Sequence, residues 1–311
     1  MLPELIQGIR AQSKLSISQA ISLIENQHES GAEFLSLLHP FTGKAHKIGI
    51  TGPPGAGKSS LTDNLITTFR KMEKRVAVIA VDPSSPFSGG AVLGDRIRMM
   101  SHHSDSQVFI RSMATRGGQG GLAMKTQEVG EIFDAAQFDV IIYETVGVGQ
   151  IELDVIQATD TVVVVLVPES GDEVQMLKAG LMEIGNIFVI NKADRPGANK
   201  LMFTLKNFIS TLIIQDGSWM PQVIHTIATA SEGTTELVEL IEAHHTFNEK
   251  HGIQHQKLEE RYKRRVMELI KNDLMQNFWN DSKHKQLQYE LEMNHQDRKS
   301  PFKLANQLLS K

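Results

Sequence analysis

The chain has 311 residues, 41% of them hydrophobic, a formal net charge of −4 and no cysteine. That length holds one large α/β domain with additions, and the near balance of charge removes the electrostatic reason to expect a nucleic acid. The absence of thiols excludes disulfides, thiolate metal sites and cysteine nucleophiles together, as suits a cytoplasmic protein. The first ten residues lack a basic region followed by an apolar core, and the strongest apolar run, Val162 to Val167, is too short to span a bilayer. Neither export nor a membrane partner is expected.

Residues 1–42 read as helices. Leu15, Ala20, Ile21, Leu23 and Ile24, then Phe34, Leu35, Leu37 and Leu38, make apolar faces between polar residues, and Pro40 and Gly43 end the region. No phosphate or metal chemistry is visible there, so a packing role is expected. Residues 43–246 alternate strand and helix, with strands expected over 47–51, 76–81, 108–111, 139–143, 162–167, 187–190 and 223–228. Runs such as Val76 to Val81 are apolar throughout, which marks strands covered on both faces. The expected fold is α/β: a mostly parallel sheet flanked by helices, with ligands at the C-terminal strand ends.

The first such end carries Gly52-Pro53-Pro54-Gly55-Ala56-Gly57-Lys58-Ser59, which fits G-x-x-x-x-G-K-[ST] at every position. A strand-like run, Lys47 to Thr51, precedes it. Leu61, Leu65, Ile66, Phe69 and Met72 follow at helical spacing. Strand, glycine loop and helix together predict the phosphate loop of a P-loop NTPase, whose backbone N–H groups turn inward on phosphate oxygens. Nucleotide contacts are expected from Gly52, Pro54, Gly55, Ala56, Gly57, Lys58, Ser59 and Ser60. Lys58 would reach the β- and γ-phosphates, and the Ser59 hydroxyl would ligate Mg²⁺.

Asp82 closes the second strand, where a carboxylate is placed to hold a Mg²⁺-bound water. The loop after it contains Gly94 and Asp95, the latter a lesser candidate for the metal shell, and is expected to change shape with nucleotide state. Gly117 to Gly121 is either a hinge or a long surface connection. Glu144-Thr145-Val146-Gly147 stands where the usual GTPase carries Asp-x-x-Gly. Its acid is one methylene longer and still able to hold a metal-bound water, and the Gly147 N–H is placed to sense the γ-phosphate. Lys58, Glu144 and Gly147 are therefore the catalytic candidates. Val148 follows where many GTPases place a water-orienting Gln, and Gln150 lies two positions further on, so slow intrinsic turnover is expected.

Asn191-Lys192-Ala193-Asp194 follows a buried strand, roughly 130 residues after the phosphate loop. A carboxylate there accepts two hydrogen bonds from guanine, at N1–H and the 2-amino group, and would be left unpaired by adenine. Asn191 can tie this loop to the phosphate loop, and the Lys192 stem can lie over the base. Thr229, Ala230 and Ser231, after the last strand, are candidates to offer a backbone N–H to the guanine carbonyl. Residues 247–311 form a helical arm with a scattered stripe, Leu258, Tyr262, Val266, Leu269 and Leu274, and a shorter one at Phe302, Leu304 and Leu308. Such an arm has no core of its own, and a homodimer contact is its favoured use. The histidines lack metal-ligand spacing: His102-His103 and His244-His245 are adjacent pairs whose side chains diverge.

The phrases Gly49-Ile50-Thr51-Gly52, Val81-Asp82-Pro83-Ser84-Ser85, Leu93-Gly94-Asp95-Arg96, Glu144 to Gln150, Gly171-Asp172-Glu173-Val174-Gln175 and Asn191 to Asp194 resemble the MeaB/ArgK-type GTPases. The resemblance runs over roughly residues 10 to 245. These are the methylmalonyl-CoA mutase-associated GTPases, in the same broad class (SIMIBI) as the nickel-insertion GTPases. The resemblance implies a homodimeric GTPase chaperone that gates cofactor loading of an adenosylcobalamin-dependent mutase and helps eject damaged cofactor. It also implies that the segment matching Pro168 to Gly180 is a mobile switch, with Asp172, Glu173 and Lys178 as partner-facing candidates beside Gly94 and Gln150. Pro168-Glu169-Ser170 departs from the small residues usual there. Two other readings stay open: a GTPase metallochaperone, which would want a Cys- or His-rich site, and a transport-associated ATPase or kinase, against which Asp194 speaks.

Overall fold

A computed structural model describes residues 2–82, 100–102, 104–114, 119–145, 147, 154–156, 158–169, 181–211 and 217–310. The chain divides into two compact units, Met1–Gln254 and His255–Lys311.

The first unit is built on seven strands: β1 (His46–Thr51), β2 (Val76–Asp82), β3 (Val108–Ala114), β4 (Val140–Thr145), β5 (Thr161–Leu166), β6 (Ile187–Ile190) and β7 (Gln222–His225). They form one sheet in the order β3-β2-β4-β1-β5-β6-β7, and every pairing is parallel. Connections move outward from β1 to β3 on one side and from β5 to β7 on the other. The direction reverses around β1, and there the carboxyl ends of the strands open a crevice.

Both faces of the sheet are covered, as apolar strands require. On one face lie α4 (Lys58–Lys71) and α8 (Thr234–Lys250), whose Leu61, Leu65, Ile66, Phe69, Leu237 and Ile241 pack on Ile48, Ile50, Val76, Val78, Ile142 and Val163. On the other face, α1 (Leu2–Arg10), α2 (Lys14–Glu25), α3 (Gly31–Leu38) and α5 (Gln119–Ala135) share a core with Ala77, Ile79, Ile141 and Tyr143. The amino-terminal helices are thus part of the first unit's core. In α2 the buried residues are Ile17, Ala20, Ile21 and Ile24, while Leu15 and, in α3, Leu37 face outward. The short α6 (Leu181–Ile184) and α7 (Ala198–Thr211) cover β5 and β6 through Leu181, Leu201 and Leu205, which share a core with Val164 and Phe188 of those strands.

Two buried carboxylates fix the entry to β1. Asp134 accepts the backbone N–H groups of Gly43, Lys44 and Ala45 at 2.8, 3.0 and 3.1 Å and pairs with the Lys47 ammonium at 3.3 Å. Asp160 accepts the N–H of Lys47 at 2.9 Å. A strand held at its start delivers its last residue, Thr51, to a defined place.

The last strand is shorter than the apolar pattern over 223–228 implies. Thr226 still donates its backbone N–H to the Ile190 carbonyl at 3.0 Å, and beyond it the Ala228 N–H turns to Asn191 Oδ1 as the chain enters a 3₁₀ turn at Ala228–Ala230.

The second unit takes most of α9 (Ile253–Phe278) with α10 (Asp281–Glu292) and α11 (Pro301–Leu309). Asn280 and Ser300 cap the latter two by accepting the N–H of Lys283 and of Lys303. The Glu290 carboxylate pairs with the Lys299 ammonium at 2.7 Å, which holds its carboxyl below the usual range. Tyr262, Met267, Leu269, Ile270 and Leu274 of α9 are exposed, and so is Phe302; Leu308 is buried.

At the amino ends of β1 and β5, far from the crevice, His46 and His244 meet at Thr161. Thr161 Oγ1 lies 2.8 Å from His46 Nε2 and 2.8 Å from His244 Nδ1, and the His46 ring stacks on His245 at 4.1 Å between centroids. The adjacent histidines do diverge around α8, yet both reach this cluster. Burial, then the neighbouring His245, push the His46 pKa down to about 3, against the opposing pull of Asp160. His244 and Lys74 add to the downward push.

The unfolded chain takes a proton at His46 near pH 6.5 and the folded chain only near pH 3, so between these values acid favours the unfolded state. His46 should therefore cost about 2 kcal/mol of stability between pH 7 and pH 5. Urea unfolding of the wild type and of His46→Asn at the two pH values checks this: the variant should lose less stability on acidification, and equal losses would contradict it.

Candidate functional site

At the carboxyl end of β1 the chain turns through Gly52 to Gly57 into α4. Gly57 has φ 89°, and a Cβ there would lie 2.3 Å from Asn191 Nδ2. Gly52 has φ 142°, and a Cβ there would lie 2.0 Å from the Val165 carbonyl oxygen. Neither position has room for a side chain or a comfortable backbone for one. The Lys58 ammonium curls back over the loop and donates to the carbonyls of Gly52 at 2.8 Å and Pro53 at 3.0 Å. The first turn of α4 adds its backbone N–H groups and the positive end of the helix dipole.

Alternation along β4 explains the acid beside this loop. Val140 and Ile142 belong to the core under α4, Ile141 and Tyr143 to the core on the other face, so Glu144 falls on the α4 side. It pairs with Ile50 in the sheet register and is buried. The Ser59 hydroxyl donates to Glu144 Oε1 at 2.6 Å. A hydroxyl and a carboxylate at hydrogen-bond distance beside a phosphate loop are the hard oxygen donors that Mg²⁺ takes, so these residues fit that ion. Asp82 ends β2. Asp95, Gly94, Gln150, Asp172, Glu173 and Lys178 lie outside the described residues, as does Val148.

Two threonines hold the chain just after Glu144. Thr51 Oγ1 and Thr145 Oγ1 donate to the Gly147 carbonyl at 3.0 and 3.2 Å. The two hydroxyl oxygens are 3.1 Å apart. The ends of β1 and β4 thus fix the Gly147 backbone against the phosphate loop.

The fourth element is the turn after β6. The buried Asn191 side chain donates from Nδ2 to the Ala56 carbonyl at 2.8 Å, while its Oδ1 accepts the Ala228 N–H at 3.0 Å and the Thr226 hydroxyl at 3.1 Å. One amide thereby joins the phosphate loop, the β6 turn and the β7 turn. Lys192 donates to the Gly55 carbonyl at 2.9 Å from a backbone with φ 57°. Ser231 shares that φ of 57°. The same left-handed backbone occurs at Gln12, Gln27, Glu73 and Gln137 away from the crevice, so at Lys192 and Ser231 it describes the turns without marking a site. Asp194 is exposed in the turn. Its neighbour Arg195 pairs with Glu169, which holds the Glu169 carboxyl below its usual range.

These pieces enclose a cavity of about 410 Å³ lined by Pro54, Gly55, Gly57 to Ser60, Ala80, Val81, Glu144, Thr145, Asn191, Lys192 and Ile227 to Thr229. Its lining reaches Lys192 and Thr229, while Asp194, Ala230 and Ser231 stand beyond that rim. Four contributors take no role from the sequence. Thr51 and Thr145 stand inside motif phrases only as letters beside the named residues, and Thr226 is an ordinary strand-end threonine. Asn64, on α4, donates from Nδ2 to the Ala228 carbonyl at 2.7 Å and accepts the Ser231 hydroxyl at 3.1 Å. A polar residue one turn past Ser60, amid buried leucines, is the one sequence signal for it. Among the described residues no group of three His, Asp or Glu side chains is arranged to hold a metal ion. Nor is any described helix long and apolar enough to cross a membrane.

Comparison with known proteins gives consistent results. The profile of the family described as methylmalonyl Co-A mutase-associated GTPase MeaB matches residues 17–283. A Pyrococcus abyssi protein provisionally named a GTPase is 48% identical over 87% of this chain and 83% of its own length. The GTPase ArgK of Escherichia coli is 34% identical over 76% of this chain and 73% of its own. The mouse methylmalonic aciduria type A homolog, a mitochondrial protein, is 33% identical over 75% of this chain and 59% of its own. A crystal structure named as a LAO/AO transport system kinase superposes with a TM-score of 0.75 at 25% identity, over 99% of this chain and 96% of that one.

Asn191→Ala removes three hydrogen bonds and strands a buried N–H and a buried carbonyl. It should cost about 2–4 kcal/mol of stability in urea unfolding without nucleotide. A loss below about 0.5 kcal/mol, within the range of ordinary surface changes, would show that Asn191 is not a brace.

Proposed function

The chain belongs to the methylmalonyl Co-A mutase-associated GTPase family and is a GTPase, and on that premise we propose that its nucleotide cycle serves an adenosylcobalamin-dependent acyl-CoA mutase. In this reading the GTP-bound protein gates cofactor loading and protects the loaded mutase. The observation that carries it is the cavity shared by the phosphate loop and the Asn191 turn, tied together by the Asn191–Ala56 hydrogen bond.

Each residue's part follows from its chemistry. The loop from Gly52 through Pro54, Gly55, Ala56 and Gly57 to Ser60 cradles the phosphates with backbone N–H groups. Lys58 exchanges its loop carbonyls for phosphate oxygens, which are stronger partners for an ammonium. Ser59 and Glu144 hold Mg²⁺, with Asp82 and Asp95 as further carboxylates for its shell. Bound there, the ion would neutralise phosphate charge. Gly147, fixed by Thr51 and Thr145, presents its N–H to the γ-phosphate. Asp194 takes the guanine N1–H and 2-amino group, Lys192 covers the base, and of Thr229, Ala230 and Ser231 it is Thr229 that supplies an N–H to its carbonyl, the N–H groups of the other two being held by the Ile227 and Ala228 carbonyls at 2.9 and 3.4 Å. Gly94, Gln150, Asp172, Glu173 and Lys178 are proposed to report the nucleotide state to the partner. The exposed apolar residues of α9 are proposed to seat a second copy of the chain.

Turnover should be slow in the isolated protein, because Val148 stands at the water-orienting position. A single-turnover rate near about 10 per second, typical of enzymes, would contradict this. Lys58→Ala should abolish nucleotide binding or turnover. Immobilised protein loaded with GDP or with a non-hydrolysable GTP analogue should retain a cobalamin-dependent mutase in only one of the two states. Equal retention, or none, would remove the mutase from the account. Tighter binding of ATP than of GTP in calorimetry would favour the transport-kinase reading carried by the structural neighbour's name.

A further inference from the structure

We propose that Asn64 is a positioning residue for guanine recognition, holding the Ala228–Ser231 turn in register with the base from the second turn of α4. The proposal rests on the reading that this turn meets the guanine carbonyl.

Asn64 lies four residues after Ser60, so the two share one face of α4. Ser60 lines the phosphate part of the cavity. The face that meets the phosphates therefore continues directly into the residue that grips the β7 turn. Both polar atoms of the Asn64 amide are spent on that turn, one near each end: Nδ2 donates to the Ala228 carbonyl at 2.7 Å, and Oδ1 accepts the Ser231 hydroxyl at 3.1 Å.

The grip on Ala228 has a specific consequence. A peptide unit is planar and trans, so its C=O and the following N–H point in opposite directions. Fixing the Ala228 carbonyl therefore fixes the direction of the Thr229 N–H, and Thr229 lines the cavity. The preceding peptide is fixed as well, because the Ala228 N–H is taken by Asn191 Oδ1 at 3.0 Å. Ala228 is thus clamped on both sides, by Asn191 from the β6 turn and by Asn64 from the phosphate-loop helix. At the far end, the hydroxyl bond to Asn64 helps keep Ser231 at φ 57°, a conformation serine rarely holds unaided. Asn64 touches neither phosphate nor base in this scheme. It acts through the backbone that does.

Titration calorimetry with Mg²⁺ and three diphosphates tests it. GDP and IDP carry the 6-carbonyl, ADP does not, and all three share the phosphates. Asn64→Ala should weaken GDP and IDP by roughly tenfold each, the size expected for losing two neutral hydrogen bonds. ADP should move by less than about twofold, since the phosphate grip is untouched. A general structural role would weaken all three alike, and that result would overturn the proposal. Asn64→Asp, nearly isosteric, guards against misfolding: it keeps the acceptor for Ser231 but turns an oxygen on the Ala228 carbonyl. It should weaken GDP at least as much as Asn64→Ala, and wild-type affinity would overturn the proposal. Asp194→Asn separates the underlying reading. If it removes the preference for GDP over IDP while Asn64→Ala leaves GDP over ADP intact, the proposal fails and the base pocket stands. If Asp194→Asn leaves that preference intact, the base-pocket reading itself fails and takes the proposal with it.

Discussion

One side-chain amide organises this site. Asn191 spends its donor on the phosphate loop and its acceptor on the turn after β7, while its own backbone N–H stays in the sheet on the Leu166 carbonyl at 2.8 Å. A nucleotide has a charged tail and a flat base several ångströms apart, and a protein that reads both must hold two separate loops at a set distance. Here that distance is set by the reach of one asparagine between β6 and the loop after β1. The bare Gly57 follows from this, since any side chain would occupy the space of the Asn191 amide. So does the course of the chain after β7, where the Ala228 N–H is taken by the same oxygen.

The sheet makes such a short brace sufficient. Parallel strands covered on both faces move little, and β1 is held at its start by Asp134 and Asp160 and along its length by β4 and β5. The phosphate loop starts from the end of this anchored strand. Glu144 and Ser59 come from different elements, yet meet at 2.6 Å because strand alternation and the first turn of α4 aim both at one point. This preformed pair of oxygen donors is the most economical reason to expect a divalent ion at the phosphates. The histidine cluster at the other end of the sheet is built for a different purpose: His46 is buried and neutral, and the cluster packs α8 onto the starts of β1 and β5.

Much of this was legible in the sequence, for physical reasons. Continuous apolar runs such as Val76 to Val81 announce a parallel sheet, and the phosphate loop carries its own chemistry in its glycines and lysine. Strand order was not legible, because seven similar runs do not reveal which neighbours pair. Leu15 and Leu37 illustrate the limit of periodicity: both fit an apolar stripe and both face outward. The bracing residues were hidden for another reason. Asn64, Thr51, Thr145 and Asp134 act on backbone groups, some of them far away in sequence, 164 residues away for Asn64 and Ala228, and a backbone partner leaves no residue pattern to read. Adjacent histidines such as His244 and His245 diverge on a helix, but a strand end and a stacked ring can still collect both.

If Asn191 holds the turn after β7 before any nucleotide arrives, hydrogen exchange at the Ala228 amide of the nucleotide-free protein reads it most directly. In the wild type this amide should exchange far more slowly than an exposed loop amide, and Asn191→Ala should lose that protection. Exchange at the open-chain rate in the wild type would contradict the brace.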